Sequence, residues 1–218
     1  DIWTLLHSYA FDFSVWEYWG ALLHGGTLVV PSQWVTRSPE ALAGLLVETG
    51  VTVFNATPSL FFSVSDELLR VRDRLRLRVV VFGGEALQPA LLRPWYELMP
   101  EDQPRLVNMY GITETTVHVS YRPLTASDVD RPSSPIGRPI PDLQLYLLDS
   151  KREPVPIGVV GELYVGGHGV ARGYLNHPDQ TAERFVPNAF SAKPGGRFYR
   201  TGDLARFLAD GNIEYVGR

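Results

Sequence analysis

At 218 residues, 44% of them hydrophobic and 20% charged, the chain can bury a sizeable core as one large domain or two smaller ones. A net charge of −4 offers no electrostatic footing for nucleic acid or an anionic membrane surface, and the lack of cysteine removes disulfides and thiolate metal sites. There is no secretory signal and no apolar run near the ~18 residues of a membrane span, so the expectation is a cytoplasmic protein. Starting at Asp1 and ending on Arg218 just past a strand-like "IEYV", it reads as a piece of something longer.

Residues 1 to about 125 alternate helix and strand patterns. Ser14 and Glu17 have the spacing of a capping box ahead of "VWEYWGALLHGG", with paired glycines as the stop. "TLVV" (27–30) reads as a strand. In "SPEALAGLLVETG", Ser38 is the expected N-cap, Pro39 the first helical residue and Gly50 the end. "VTVFN" (51–55) is strand-like, "PSLFFSVSDELL" helical, and "LRVVVFGG" (77–84) a strand ending in glycines. "PALLRPWYELM" reads as a helix and "RLVNMYG" (105–111) as a further strand. Continuous β-branched runs between helices predict a parallel sheet buried on both faces, with ligands bound beyond the carboxyl ends of its strands. Asn55, Gly83, Gly84 and residues 109–113 fall at such ends.

After the polar, proline-bearing "SDVDRPSSP" (127–135) the pattern changes. "LQLYLLD", "GELYVGG" and "DLARFLADGNIEYV" are short β-type segments, the last with a hairpin signal at Asp210-Gly211. The expected class is therefore α/β. A mostly parallel layered α/β half (1–125) precedes a small β-barrel-like subdomain (126–218).

The stretch "NMYGITETT" (108–116) carries the most chemistry. Gly111 after a buried strand lets the backbone approach a ligand, and threonine hydroxyls with backbone N–H groups suit phosphate oxygens. A lone carboxylate beside phosphates, Glu114, suits Mg²⁺, which takes one or two carboxylates plus substrate oxygens. A threonine-rich turn with a merely solvated Glu114 is the plain alternative. In "YRTGDLAR" (199–206), Asp203 has the chemistry to accept ribose hydroxyls, or else bonds its own backbone at a turn. No Walker-type loop, H-E-x-x-H or G-x-S-x-G occurs, which removes P-loop, zincin and hydrolase readings.

In combination and order the motifs say more. "FDFSVWE" (11–17), "NMYGITETT", "GELYVGGHGVARGYLN", "YRTGDLAR" and "YVGR" follow the order of core motifs in amino-acid adenylation domains of nonribosomal peptide synthetases. "PDQTAERFVPNAF" (178–190) is typical of the same branch. The chain thus resembles the adenylate-forming superfamily over essentially its whole length. The resemblance implies an ATP-dependent amino-acid-activating ligase with Mg²⁺. A peptidyl carrier protein bearing phosphopantetheine and a condensation domain of the same assembly line would be its partners. It also implies a phosphate loop before residue 1 and a lid with a catalytic lysine after Arg218.

Carried over by residue, the resemblance gives Tyr110 stacking on adenine, Asn108 at its edge, and Gly84 and Glu85 along the adenine and ribose side. Thr113 would contact the α-phosphate next to Gly111, Glu114 would hold the metal, and Asp203 with Arg218 would grip the ribose. Asp12 would pair with the substrate ammonium. Phe13, Trp16, Asn55, Val81, Gly83, Met109, Val117 and His118 would line the pocket, a set similar to that of threonine-activating domains. Asn55 and His118 suit a β-hydroxyl, Val81 and Val117 a methyl, and Phe13, Trp16 and Met109 shorten the pocket. Two alternatives stay open: a non-catalytic fragment or graft cassette, and an acyl-CoA ligase relative. The second would leave Asp12 facing a substrate without an amine.

Overall fold

Short β-branched runs and capped helices alternate through the first hundred residues, and the computed structural model turns them into a parallel sheet. It describes residues 1–192 and 194–218. The chain divides into two units, one of Asp1–Asn108 with Pro123–Pro132, the other of Met109–Arg122 with Ser133–Arg218. The chain therefore changes unit three times between 108 and 133, where the sequence reading placed one change of character near 125.

The first unit runs β1 (Ile2–Thr4), α1 (Phe13–Leu22), β2 (Thr27–Val29), α2 (Gln33–Thr36), α3 (Pro39–Glu48), β3 (Val53–Ala56), α4 (Pro58–Arg70), β4 (Val79–Phe82), α5 (Arg93–Leu98) and the first residues of β5 (Arg105–Tyr110). The strands lie in the order β2-β1-β3-β4-β5, with parallel registers such as Asn55 opposite Val81 and Phe82 opposite Asn108. β3 is buried along its whole length, as a strand covered on both faces must be. Phe61 of α4 meets Phe82 and Trp95 edge-on, each at 5.0 Å, in the core. Ser38 caps α3 by accepting from the Ala41 N–H at 3.2 Å, with Pro39 in the first turn. Gly50 takes a left-handed φ of 65° just past the helix end.

Two local expectations are overturned. The Ser14–Glu17 capping box does not form. Asp12 occupies the N-cap of α1 without a side-chain bond, and Ser14 and Glu17 are buried inside the helix. Glu17 turns to the incoming chain because the Leu6 and His7 N–H groups there need an acceptor. The stretch 89–99 is not one helix but a 3-10 turn, Pro89–Leu92, followed by α5. Pro94 has no N–H to donate back to Ala90, which breaks the ladder at that point.

The second unit adds β6 (Ser120–Pro123), β7 (Ser134–Pro139), β8 (Leu143–Leu148), β9 (Gly161–Gly167), α6 (Pro178–Arg184), β10 (Phe185–Pro187), β11 (Arg197–Phe207) and β12 (Ile213–Gly217). These strands form an antiparallel sheet in the order β6-β7-β12-β11-β9-β8, with β10 against β11. Val119, Ile136, Leu145, Leu147, Leu163, Val165 and Ile213 make its core. The β11–β12 hairpin closes with a Leu208 N–H to Asn212 carbonyl bond of 2.8 Å, and Gly211 supplies a φ of 79°. β6 and β7 were not foreseen. Among the described residues no helix is long and apolar enough to cross a membrane.

Candidate adenylate-forming site

In the first unit the predicted residues gather at the start of α1 and the carboxyl ends of β3 and β4. Asp12 and Trp16 are one helical turn apart, so their side chains leave the same face of α1. Trp16 Nε1 donates to Asn55 Oδ1 at 2.9 Å. Asn55 is fully buried, and with its oxygen engaged the amide nitrogen Nδ2 has no partner among the described residues. Asp12 Oδ2 is likewise shielded from solvent and unpartnered. Unmatched buried polar atoms of this kind are costly, and a bound ligand is one way to satisfy them.

Val81 is buried opposite Asn55 on β4. Gly83 follows the strand and donates to the Ala56 carbonyl at 3.4 Å. Gly84 has a φ of 82°, and a Cβ there would come 3.1 Å from the Phe11 ring. Glu85 binds Ser59 through both oxygens, accepting from its N–H at 3.0 Å and its Oγ at 2.8 Å at the start of α4. Asn108 is buried at the carboxyl end of β5.

In the second unit Tyr110, Asp203 and Arg218 come together. The Tyr110 hydroxyl donates to Asp203 Oδ2 at 2.5 Å, and Arg218 Nε stands 3.0 Å from Oδ1. Burial, reinforced by the Asp203 carboxylate, pushes the Tyr110 phenol well above its ordinary pKa, so it remains a donor. The Asp203 N–H bonds Thr201 Oγ1 at 2.9 Å, which fixes the bend that presents the carboxylate.

Residues 113–115 form a 3-10 turn after β5, with Thr113 exposed and Thr115 buried. Thr116 and Val117 follow with φ of 67° and 66°, a conformation strained for β-branched residues. This fold-back brings the Val117 carbonyl so close that a Cβ on Gly111 would lie 2.0 Å from it. Only glycine fits there. Met109 and His118, at either side of this turn, are both buried. The Thr116 Oγ1 donates to the Gly169 carbonyl at 2.8 Å, and the Ala171 N–H donates to the Glu114 carbonyl at 2.9 Å.

Glu114 Oε1 accepts from the Tyr174 hydroxyl at 2.5 Å and from the Tyr199 hydroxyl at 2.9 Å. Burial opposes its ionisation, but the hydrogen bonds from Tyr174, its own backbone and Tyr199, with Arg184 nearby, outweigh this and hold its pKa below the usual value. An ionised carboxylate anchored by two tyrosine hydroxyls fits a Mg²⁺ site completed by substrate oxygens. No group of three or more His, Asp or Glu side chains able to hold a metal occurs among the described residues.

Residues 1–175 match the family of AMP-binding enzymes. The chain belongs to that family. Its likeness to amino-acid adenylation domains, expected from the motifs, holds against relatives. It is 57% identical to a dimodular nonribosomal peptide synthase of Bacillus subtilis (strain 168) over 222 residues, all of this chain and 9% of the relative. It is 56% identical to malpinin synthetase of Mortierella alpina over 220 residues, all of this chain and 3% of that protein. A solved NRPS protein containing adenylation and PCP domains superposes with a TM-score of 0.87 at 31% identity, over 99% of this chain and 43% of that one. The chain thus spans under a tenth of the length of these two synthetases.

Sequence reasoning had not singled out two groups in this AMP-binding chain. Tyr174 and Tyr199 both lay inside quoted motifs, but they reach Glu114 across 60 and 85 residues of sequence. His7 and Glu17, which flank Asp12 in the sequence, pair at 3.0 Å.

Proposed function

We propose that this segment forms the amino-acid pocket and part of the nucleotide site of an adenylation domain that activates L-threonine. In the proposed reaction an oxygen of the amino-acid carboxylate attacks the α-phosphorus of ATP. The acyl–phosphate bond forms as the bond to pyrophosphate breaks. The phosphopantetheine thiol of a peptidyl carrier protein then attacks the acyl carbon and AMP leaves. Condensation in the same assembly line would follow. The observation that carries this reading is the pair of unmatched buried atoms, Asp12 Oδ2 and Asn55 Nδ2. An acceptor of negative charge suits an ammonium, and a free amide donor suits a hydroxyl oxygen.

Each residue then has a stated role. Asp12 holds the ammonium and thereby orients the carboxylate. Asn55, fixed by Trp16, and His118 address the β-hydroxyl, while Val81 and Val117 face the methyl. Phe13, Gly83 and Met109 bound the pocket. Tyr110 offers its ring to adenine, with Asn108, Gly84 and Glu85 at the base and sugar edges. Asp203 and Arg218 take the ribose hydroxyls, and Gly111 and Thr113 approach the α-phosphate. Glu114 is the protein's ligand for Mg²⁺, which when bound neutralises phosphate charge. Catalysis on this reading is positioning and charge neutralisation.

A pocket organised around a hydroxyl rejects the analogue lacking it by roughly 10⁴–10⁵, whereas one missing methyl is worth only ~1–3 kcal/mol. ATP–pyrophosphate exchange by the intact synthetase across threonine, allo-threonine, serine, valine and 2-aminobutyrate tests the assignment. The expected pattern is a threonine maximum, weaker serine, and valine near background. Valine turned over as fast as threonine would refute it.

A further inference from the structure

Glu17 is fully buried, yet the proposed reaction gives it no part. Its carboxylate gathers three hydrogen bonds: from the Leu6 N–H at 3.2 Å, the His7 N–H at 3.1 Å and the His7 ring Nδ1 at 3.0 Å. All three donors belong to the stretch of chain that leads into Asp12. A buried carboxylate is costly unless it is well bonded, and here the bonds all tie one loop to one helix.

The ring that Glu17 holds is itself a packing element. His7 stacks on Phe13 with centroids 4.3 Å apart and planes at 20°. Phe11 stands edge-on to His7 at 5.6 Å and to Phe13 at 6.1 Å. The residues immediately before and after Asp12 are therefore gripped by one anchored imidazole. Asp12 gains nothing comparable from its own side chain, because its Oδ2 has no partner and it makes no cap bond to α1. The direction of that carboxylate is set by what holds its neighbours.

We infer that Glu17 and His7 form a positioning pair that keeps Asp12 aimed at the substrate ammonium. The inference rests on the reading of Asp12 as the ammonium partner. Glu17 ties the loop, His7 transmits the tie to Phe11 and Phe13, and Asp12 is presented between them. Neither side chain is assigned contact with substrate.

The test is steady-state ATP–pyrophosphate exchange by the intact synthetase, with KM measured separately for ATP and for L-threonine. Should threonine fail, the amino acid exchanged fastest replaces it. Glu17→Gln keeps the shape of the side chain but cannot accept all three donors, and should raise the amino-acid KM roughly ten-fold with the ATP KM nearly unchanged. His7→Phe keeps a ring on Phe13 but removes the donor, and should follow Glu17→Gln. His7→Asn restores an N–H donor and should recover part of the loss. If Glu17→Gln does not fold, as judged by its thermal melt, the two His7 variants still decide the matter. A fall in kcat with both KM values unchanged would mean a purely structural pair and overturn the inference. A large amino-acid KM effect for Asp12→Asn with none for Glu17 or His7 would sink the inference and spare the Asp12 reading. No effect from Asp12→Asn would sink both.

Discussion

Asp12 and Asn55 in the first unit, and Asp203 and Glu114 in the second, hold their polar groups in opposite ways. In the first, Asp12 Oδ2 and Asn55 Nδ2 are buried without partners. In the second, Tyr110 and Arg218 already engage both oxygens of Asp203, and two tyrosine hydroxyls anchor one oxygen of Glu114. On the proposed function, the difference separates two tasks. Nucleotide is common to every member of an AMP-binding family, so its contacts can be preassembled by the protein. On the same proposed function, the amino acid is recognised by atoms left unmatched, Asp12 for its ammonium and Asn55 for its side chain, where a wrong ligand leaves the penalty in place.

The strongest break in this comparison is Asp12→Asn, which removes the unmatched charge. It should lower kcat/KM for threonine by about 10²-fold or more in pyrophosphate exchange, while ATP KM hardly moves. On the preassembled side, Tyr174→Phe combined with Tyr199→Phe should raise the Mg²⁺ concentration needed by about 10–100-fold. A metal titration at fixed ATP, with Mn²⁺ binding followed by electron paramagnetic resonance, reads this directly. Trp16→Phe frees the Asn55 oxygen and lets the amide turn. The preference for threonine over valine should then shrink by about ten-fold, with serine discrimination little changed. The smallest effect on activity is expected from Tyr110→Phe, which leaves Asp203 Oδ2 buried without its donor.

That last variant also carries a pH signature. Burial, and then the Asp203 charge, raise the Tyr110 pKa in the folded protein above its unfolded value of about 10. The stability this represents is complete below pH ~10 and is lost as pH rises through the folded value. Wild type should therefore lose stability above pH ~10 more steeply than Tyr110→Phe. Equal slopes in alkaline melts would contradict the assignment.

Much of the fold was legible because local chemistry and tertiary need agree there. α3 begins at Ser38-Pro39 and ends before Gly50, and α4 starts at Pro58, where the residue types ask for it. α1 was misread at its start because Ser14 and Glu17 have capping-box spacing, yet the Glu17 carboxylate finds three donors elsewhere. β1 is too short to show a period, and β7 carries Pro135 and Pro139, which make a strand look like a loop. Candidate site residues inside motifs could be named from sequence, but their hydrogen-bond partners could not. No spacing rule links Glu114 to Tyr174 and Tyr199, or Tyr110 to Asp203, 93 residues on. The left-handed turn at Thr116–Val117 was hidden for another reason, since β-branched residues argue against it.

The central claim is that Asp12 Oδ2 and Asn55 Nδ2 are held open for an ammonium and a hydroxyl. The most direct measurement is equilibrium binding to the intact synthetase of L-threonine, L-valine and 3-hydroxybutyrate, which respectively keep both groups, lack the hydroxyl and lack the amine. Threonine should bind measurably, with both analogues weaker by at least about 10²-fold. Valine or 3-hydroxybutyrate binding as tightly as threonine would show that the corresponding atom is not reading the ligand.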